Sequence, residues 1–142
     1  MDGLRHIRDR YKGNVLQLIC TNKPERLARK LVEKSPLAEF FTPPEKAVTG
    51  AVPGLKQKPN KEHVLRAMDC FLGTRQFSVN RMIIVGDGKN DIKSATELGC
   101  RSIAVTYGFS DPMALRELNP TVLVDGFDQA ISQITQWIDT DR

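Results

Sequence analysis

The sequence is poor in cysteine: only Cys20, Cys70 and Cys100 occur in 142 residues. They are widely separated, odd in number and never spaced as CxxC. That pattern excludes a disulfide framework or zinc site and predicts reduced, buried thiols. Long hydrophobic runs are missing too, since nothing approaches the ~20 apolar residues that span a bilayer. The first twelve residues are too charged for the apolar core of a signal peptide, so a cytoplasmic protein without membrane contact is expected. Charge of one sign is also lacking. Lys and Arg number 21 against 17 Asp and Glu, for a net charge of +4, and the two signs alternate along the chain (Arg8, Asp9, Arg10; Lys30, Glu33, Lys34; Lys89, Asp91, Lys93). No stripe fits a nucleic-acid backbone. The basic opening Arg5, His6, Arg8, Arg10 and Lys12 suits an amphipathic helix better than a nucleic-acid arm.

What is present describes an ordinary globular chain, 40% hydrophobic and 27% charged. A single domain over residues 1–142 is expected, long enough to bury roughly 70% of its unfolded surface. Short apolar, β-branched runs predict strands at Val15–Cys20, Met82–Val85, Ser102–Thr106 and Thr121–Val124. Met82-Ile83-Ile84-Val85 shows no polar alternation, as in a parallel strand covered by helices on both faces. Between the strands lie helical patterns. They are carried by Leu27, Ala28, Leu31 and Val32; by Val64, Leu65, Met68, Phe71 and Leu72; by Ala95 and Leu98; and by Phe127, Ile131, Ile134, Trp137 and Ile138. Leu4, Ile7 and Tyr11 predict an opening helix that ends at Gly13. Pro24 suits a first helical turn, Asn60 an N-cap and Gly99 a helix stop. Residues 41–60 hold four of the eight prolines and read as a loop-rich excursion, with a short strand near Ala47–Thr49. The alternation predicts an α/β fold with a mostly parallel sheet.

Ligands in such sheets bind beyond the carboxyl ends of the strands. The first strand runs into Thr21-Asn22-Lys23-Pro24, where a hydroxyl, an amide and a helix start can hold an anion. A plain capped helix start accounts for the same residues. The second strand runs into Gly86-Asp87-Gly88-Lys89-Asn90-Asp91. Two carboxylates four residues apart, at a strand end and a helix start, suit Mg²⁺ with its one or two carboxylate ligands. Asp91 or Asn90 could equally cap the helix, but capping leaves Asp87 unexplained, since a carboxylate directly after four apolar residues needs a ligand or partner. The stretch lacks the third glycine of GxGxxG, and no GxxxxGK[ST] loop exists. Lys58, after the proline-rich excursion, can offset phosphate charge. His6 and His63 lie in helical segments without a serine or cysteine neighbour and are expected at the surface.

Together, Thr21-Asn22-Lys23-Pro24, Lys58-Pro59 and Gly86-Asp87-Gly88-Lys89-Asn90-Asp91 resemble, in order and spacing, the second, third and fourth motifs of the haloacid dehalogenase superfamily. The likeness is to its phosphoglycolate phosphatase-type members and runs from about Leu4 to Trp137. Further similar phrases are Glu25-Arg26-Leu27-Ala28-Arg29-Lys30, Ala95-Thr96-Glu97-Leu98-Gly99-Cys100 and Val105-Thr106-Tyr107-Gly108-Phe109. The resemblance implies a three-layer α/β/α, Rossmann-like core acting on a small phosphorylated metabolite. It assigns phosphate binding to Thr21, Asn22 and Lys58, a catalytic role to Lys58, and Mg²⁺ to Asp87 and Asp91.

The family's first motif, an Asp-x-Asp ending an N-terminal strand and supplying the nucleophile, is not found at such a position. Asp2-Gly3 echoes its end, yet no apolar strand precedes Asp2, which reads as a helix start. The first strand and the cap domain of the family are therefore expected to be missing, with weak or no turnover. In the family fold that strand lies between the strands ending at Cys20 and Val85, so its removal leaves open edges. A non-catalytic interaction module, a homo-oligomer joined through the open edge, and a phosphatase that borrows its nucleophile remain alternatives.

Overall fold

Every strand pair in the protein is parallel. A computed structural model describes residues 1–73 and 75–141. It contains a two-stranded sheet of order β1-β2 and a three-stranded sheet of order β3-β4-β5. The chain packs as two compact units, Met1–Gln76 and Phe77–Arg142.

In the first unit, helix α1 (Asp2–Tyr11) starts at Asp2 as expected and buries Ile7 and Tyr11. Its basic side is engaged by acids: Arg8 Nη1 meets Glu39 at 2.6 Å and Arg8 Nε meets Asp9 at 2.7 Å. Strand β1 (Ile19–Pro24) leads into α2 (Glu25–Glu33) and a single 3₁₀ turn at Pro36–Glu39. Next come a one-turn helix α3 (Pro44–Ala47), strand β2 (Val48–Ala51) and helix α4 (Lys61–Leu72). Asn60 caps α4, its side chain accepting from the Glu62 N–H at 2.9 Å. Ala28, Val32, Phe40, Phe41, Ala47 and Val48 form the core of this unit.

Four expectations need correction here. Strand β1 begins at Ile19 rather than Val15, because its partner β2 has only four residues and the ladder starts at Ile19 opposite Val48. It then continues through Thr21 and Asn22 to Pro24, with an irregular register after Cys20. Pro24 ends the strand and precedes α2 instead of forming its first turn. On α2, Ala28 and Val32 are buried, whereas Leu27 and Leu31 are 47% and 52% exposed. His63 is fully buried, not at the surface, because α4 turns its His63, Val64 and Ala67 stripe inward.

The second unit comprises a 3₁₀ turn (Val79–Arg81), β3 (Ile83–Gly86), α5 (Lys89–Leu98), β4 (Arg101–Val105), α6 (Pro112–Glu117), β5 (Val122–Val124) and α7 (Phe127–Thr140). Helix α6 escaped the sequence pattern because six residues carry too little periodicity. Gly99 stops α5 in the left-handed conformation, φ 73°. Successive β4 residues face opposite ways. Ile103 and Val105 pack with Val124, Ala130 and Trp137, while Ala104 packs with Ile92 and Leu115. This places α7 on one face and α5 with α6 on the other, the expected α/β/α layering. Ser102 and Thr121 exchange hydrogen bonds of 3.0 and 3.1 Å that pin the starts of β4 and β5 together. Central β4 is buried from Ser102 onward, but β3 ends its sheet and leaves Val85 37% exposed. Full coverage of both faces therefore belongs to β4 and not to Met82–Val85. The cysteines are free thiols, half-buried rather than buried.

Candidate functional site

In the first unit, Asn22 and Lys58 are joined by a reciprocal pair of hydrogen bonds. The Asn22 amide Nδ2 donates to the Lys58 carbonyl at 2.9 Å, and its Oδ1 accepts from the Lys58 N–H at 3.0 Å. Lys58 Nζ donates to the Cys20 carbonyl at 2.6 Å. The lysine thus folds back over β1, two residues from Asn22, and its ammonium lies at the strand that carries Thr21. Thr21 Oγ1 accepts from the Lys23 N–H at 3.2 Å. That bond closes a short turn on the strand side of α2, and no side chain caps the α2 N-terminus. The plain helix-cap account of Thr21 and Asn22 therefore does not describe these residues. The structure brings Thr21, Asn22 and Lys58 together through the β1 backbone.

Beneath this group lies a network the sequence did not announce. Glu25, the first residue of α2, is 9% exposed. Its Oε2 accepts from Arg66 Nη1 at 2.5 Å and from the Gly50 N–H at 3.1 Å. Its Oε1 faces Arg66 Nη2 at 3.2 Å and Arg29 Nη2 at 2.9 Å. The Arg66 guanidinium, opposed by desolvation and helped by the Gly50 N–H, holds the Glu25 carboxyl below the usual carboxylate range. Arg29 also donates to the Val48 and Glu45 carbonyls at 3.1 and 2.9 Å. One carboxylate thus ties α2, β2 and α4 at the point where β1 ends. The available signal was the phrase Glu25-Arg26-Leu27-Ala28-Arg29, whose Glu and Arg stand one helical turn apart.

His63 belongs to the same region. Its backbone carbonyl accepts from Cys20 Sγ at 3.7 Å, and neither imidazole nitrogen has a hydrogen-bond partner. Burial pushes its pKa below the usual 6.5, and the Lys58 and Arg66 charges add to that direction while the Gly50 backbone and Glu25 oppose it. A shallow cleft of about 520 Å³ alongside α2 is lined by Pro24, Arg26, Lys30, Ala51, Val52 and Pro53 among others, and includes neither Thr21, Asn22 nor Lys58.

In the second unit, Asp87 follows β3 and Asp91 lies in the first turn of α5. Asp91 accepts from the Gly88 N–H at 3.3 Å, reaching back over the helix start. Asp87 Oδ2 accepts from the Phe109 N–H at 3.2 Å, so its partner comes from the loop after β4. Each carboxylate also lies tight against a glycine. A methyl group on Gly86 would overlap Asp91, and one on Gly108 would overlap Asp87. Among the described residues no cluster of three or more His, Cys, Asp or Glu exists. Two seated carboxylates fit Mg²⁺, which takes one or two such ligands and completes its shell with water and phosphate oxygens.

Residues 56–130 match the HAD-hydrolase-like family model. A phosphoglycolate phosphatase of Agrobacterium fabrum is 39% identical over 117 residues, covering 82% of this chain and 46% of that protein. One from Aliivibrio fischeri is 31% identical over 124 residues, covering 87% of this chain and 51% of its own length. The chain thus spans about half the length of these relatives. A haloacid dehalogenase-like hydrolase of Streptococcus pneumoniae superposes with a TM-score of 0.75 at 22% identity, over 93% of this chain and 56% of that one, a likeness of fold. With a family model covering more than half its residues and motifs in family order, the chain belongs to the haloacid dehalogenase-like hydrolases.

Proposed function

We propose that this chain carries core machinery of a Mg²⁺-dependent phosphomonoester hydrolase of the phosphoglycolate phosphatase type, acting on a small phosphorylated metabolite. The observation that supports it most is the Asn22–Lys58 pair with the Lys58 Nζ contact to Cys20. A surface lysine gains nothing from that arrangement, whereas a phosphate-holding one is preorganised by it. Thr21 and Asn22 orient the phosphoryl group by hydrogen bonds, and Lys58 offsets its negative charge. In the second unit, taken by itself, Asp87 and Asp91 hold the cation, which when bound supplies positive charge. Asp2 opens helix α1 rather than ending a strand, and the proposal assigns no nucleophile among the described residues.

Hydrolysis of p-nitrophenyl phosphate with Mg²⁺ tests this reading on the chain as it is and fused to a family-type N-terminal segment. Activity that appears only on fusion is expected. A folded, inactive fusion would overturn the assignment. A second reading, an interaction module or swapped oligomer, draws on the open edges of β1 and β3, each of which ends its sheet with no ladder partner on one side. Light scattering that finds only monomer removes the self-association form of it.

A further inference from the structure

Asp87 is held by a loop rather than by its own strand or helix. Among the described residues its carboxylate accepts a hydrogen bond from the Phe109 main chain, 22 residues away. The neighbouring Gly108 is not among the glycines with positive φ, so backbone conformation does not demand glycine there. Close approach does: the three heavy atoms nearest to a Cβ on Gly108 are the Cβ, Cγ and Oδ2 of Asp87. The Phe109 ring is fully exposed and Tyr107 is 59% exposed, so the loop is not pinned by an apolar anchor at these positions. What it offers Asp87 is main chain, a bare Cα to lie against and one N–H donor.

We infer that Gly108 and the Phe109 N–H are positioning groups for Asp87, fixing its carboxylate in the orientation from which it binds a divalent cation. The inference rests on the reading of Asp87 as a cation ligand and assigns a role to the loop after β4. A free carboxylate swings between rotamers, and each cation-binding event must then order it. With one oxygen tied to Phe109 and one side closed by Gly108, that cost is already met before the cation arrives. A methyl group there would overlap the Asp87 Cβ as well as its Cγ and Oδ2, so Gly108→Ala has to shift main chain and displaces the carboxylate with it.

Mn²⁺ binding by the whole chain, followed through the electron paramagnetic resonance of free Mn²⁺, tests the inference. Gly108→Ala is expected to weaken binding tenfold or more in a chain that circular dichroism shows to be folded, with a lowered thermal midpoint. Phe109→Ala keeps the N–H and should bind within twofold of the parent. Gly108→Ala binding within twofold, while Asp87→Asn loses affinity, overturns the positioning role and leaves the cation site intact. Unchanged binding in Asp87→Asn overturns the cation site itself. Nitrogen-15 spectra of the unmodified chain provide a measurement that needs no variant. The Phe109 amide signal should move with Mg²⁺ along the calorimetric isotherm, and a stationary signal at saturation overturns the inference.

Discussion

The side-chain amide of Asn22 spans the Lys58 peptide, donating to its carbonyl and accepting from its N–H. An aspartate could keep the second bond and lose the first, and an alanine loses both. Asn22→Ala should therefore cost about 1–2 kcal/mol of stability, with Asn22→Asp costing less. For inorganic phosphate the order reverses, because a carboxylate beside Lys58 repels the anion. Urea denaturation and phosphate calorimetry on the two variants should give opposite rankings. Equal rankings would show that Asn22 acts only as a brace.

Glu25 illustrates a different balance. A buried carboxylate with Arg66, Arg29 and the Gly50 N–H around it is stable because every partner is present. Removing Glu25 strands two guanidinium groups near the end of β1. Glu25→Ala should cost about 3 kcal/mol. Arg66→Met, which leaves Arg29 and the Gly50 N–H as partners, should cost less. The Glu25 carboxyl is depressed by its cations, so its contribution is complete above the ordinary carboxylate range and is lost as pH falls through the lower native value. Denaturation midpoints of the parent and Glu25→Gln should converge in acid.

The elements of this fold were largely legible because buried β4 and its neighbours are apolar runs and because Asn60 and Gly99 punctuate helices as their chemistry dictates. The start of β1 was not, since Val15–Leu18 is as apolar as a strand and only the brevity of β2 shows that it has no partner. Likewise Asp87 and Asp91 stood out as carboxylates beside an apolar run, but nothing local marked Gly108 or Phe109, which reach Asp87 from another strand end. Glu25 was hidden for the same reason. A glutamate in a first helical turn ordinarily serves the helix dipole, and its burial depends on Arg66 and Gly50 arriving from far along the chain.

Leu27 and Leu31 fit the helical period as well as Ala28 and Val32 do, yet they lie on the other side of α2. Leu31→Gln should change stability by no more than about 0.5 kcal/mol, as exposed substitutions do. Ile103→Ala in the second unit, at a position with no exposure, should cost about 2–5 kcal/mol. Urea midpoints decide between them, and a large loss at Leu31 would show that its face is covered in solution.

His63 makes the protein sensitive to mild acid. Its imidazole is buried without hydrogen-bond partners, faces the Lys58 and Arg66 cations with Glu25 as the nearby acid, and has a native pKa below its usual 6.5. The unfolded chain therefore takes up the proton first as pH falls. Stability is unaffected well above pH 6.5, declines from about 6.5 downward, and levels off only below the lowered native value. His63→Leu removes the titrating group and the two unpartnered nitrogens together. Its stability should be flat from pH 7 to pH 5.5, where the parent loses ground. Thermal midpoints across that interval measure the difference. A slope that persists unchanged in His63→Leu would overturn the assignment.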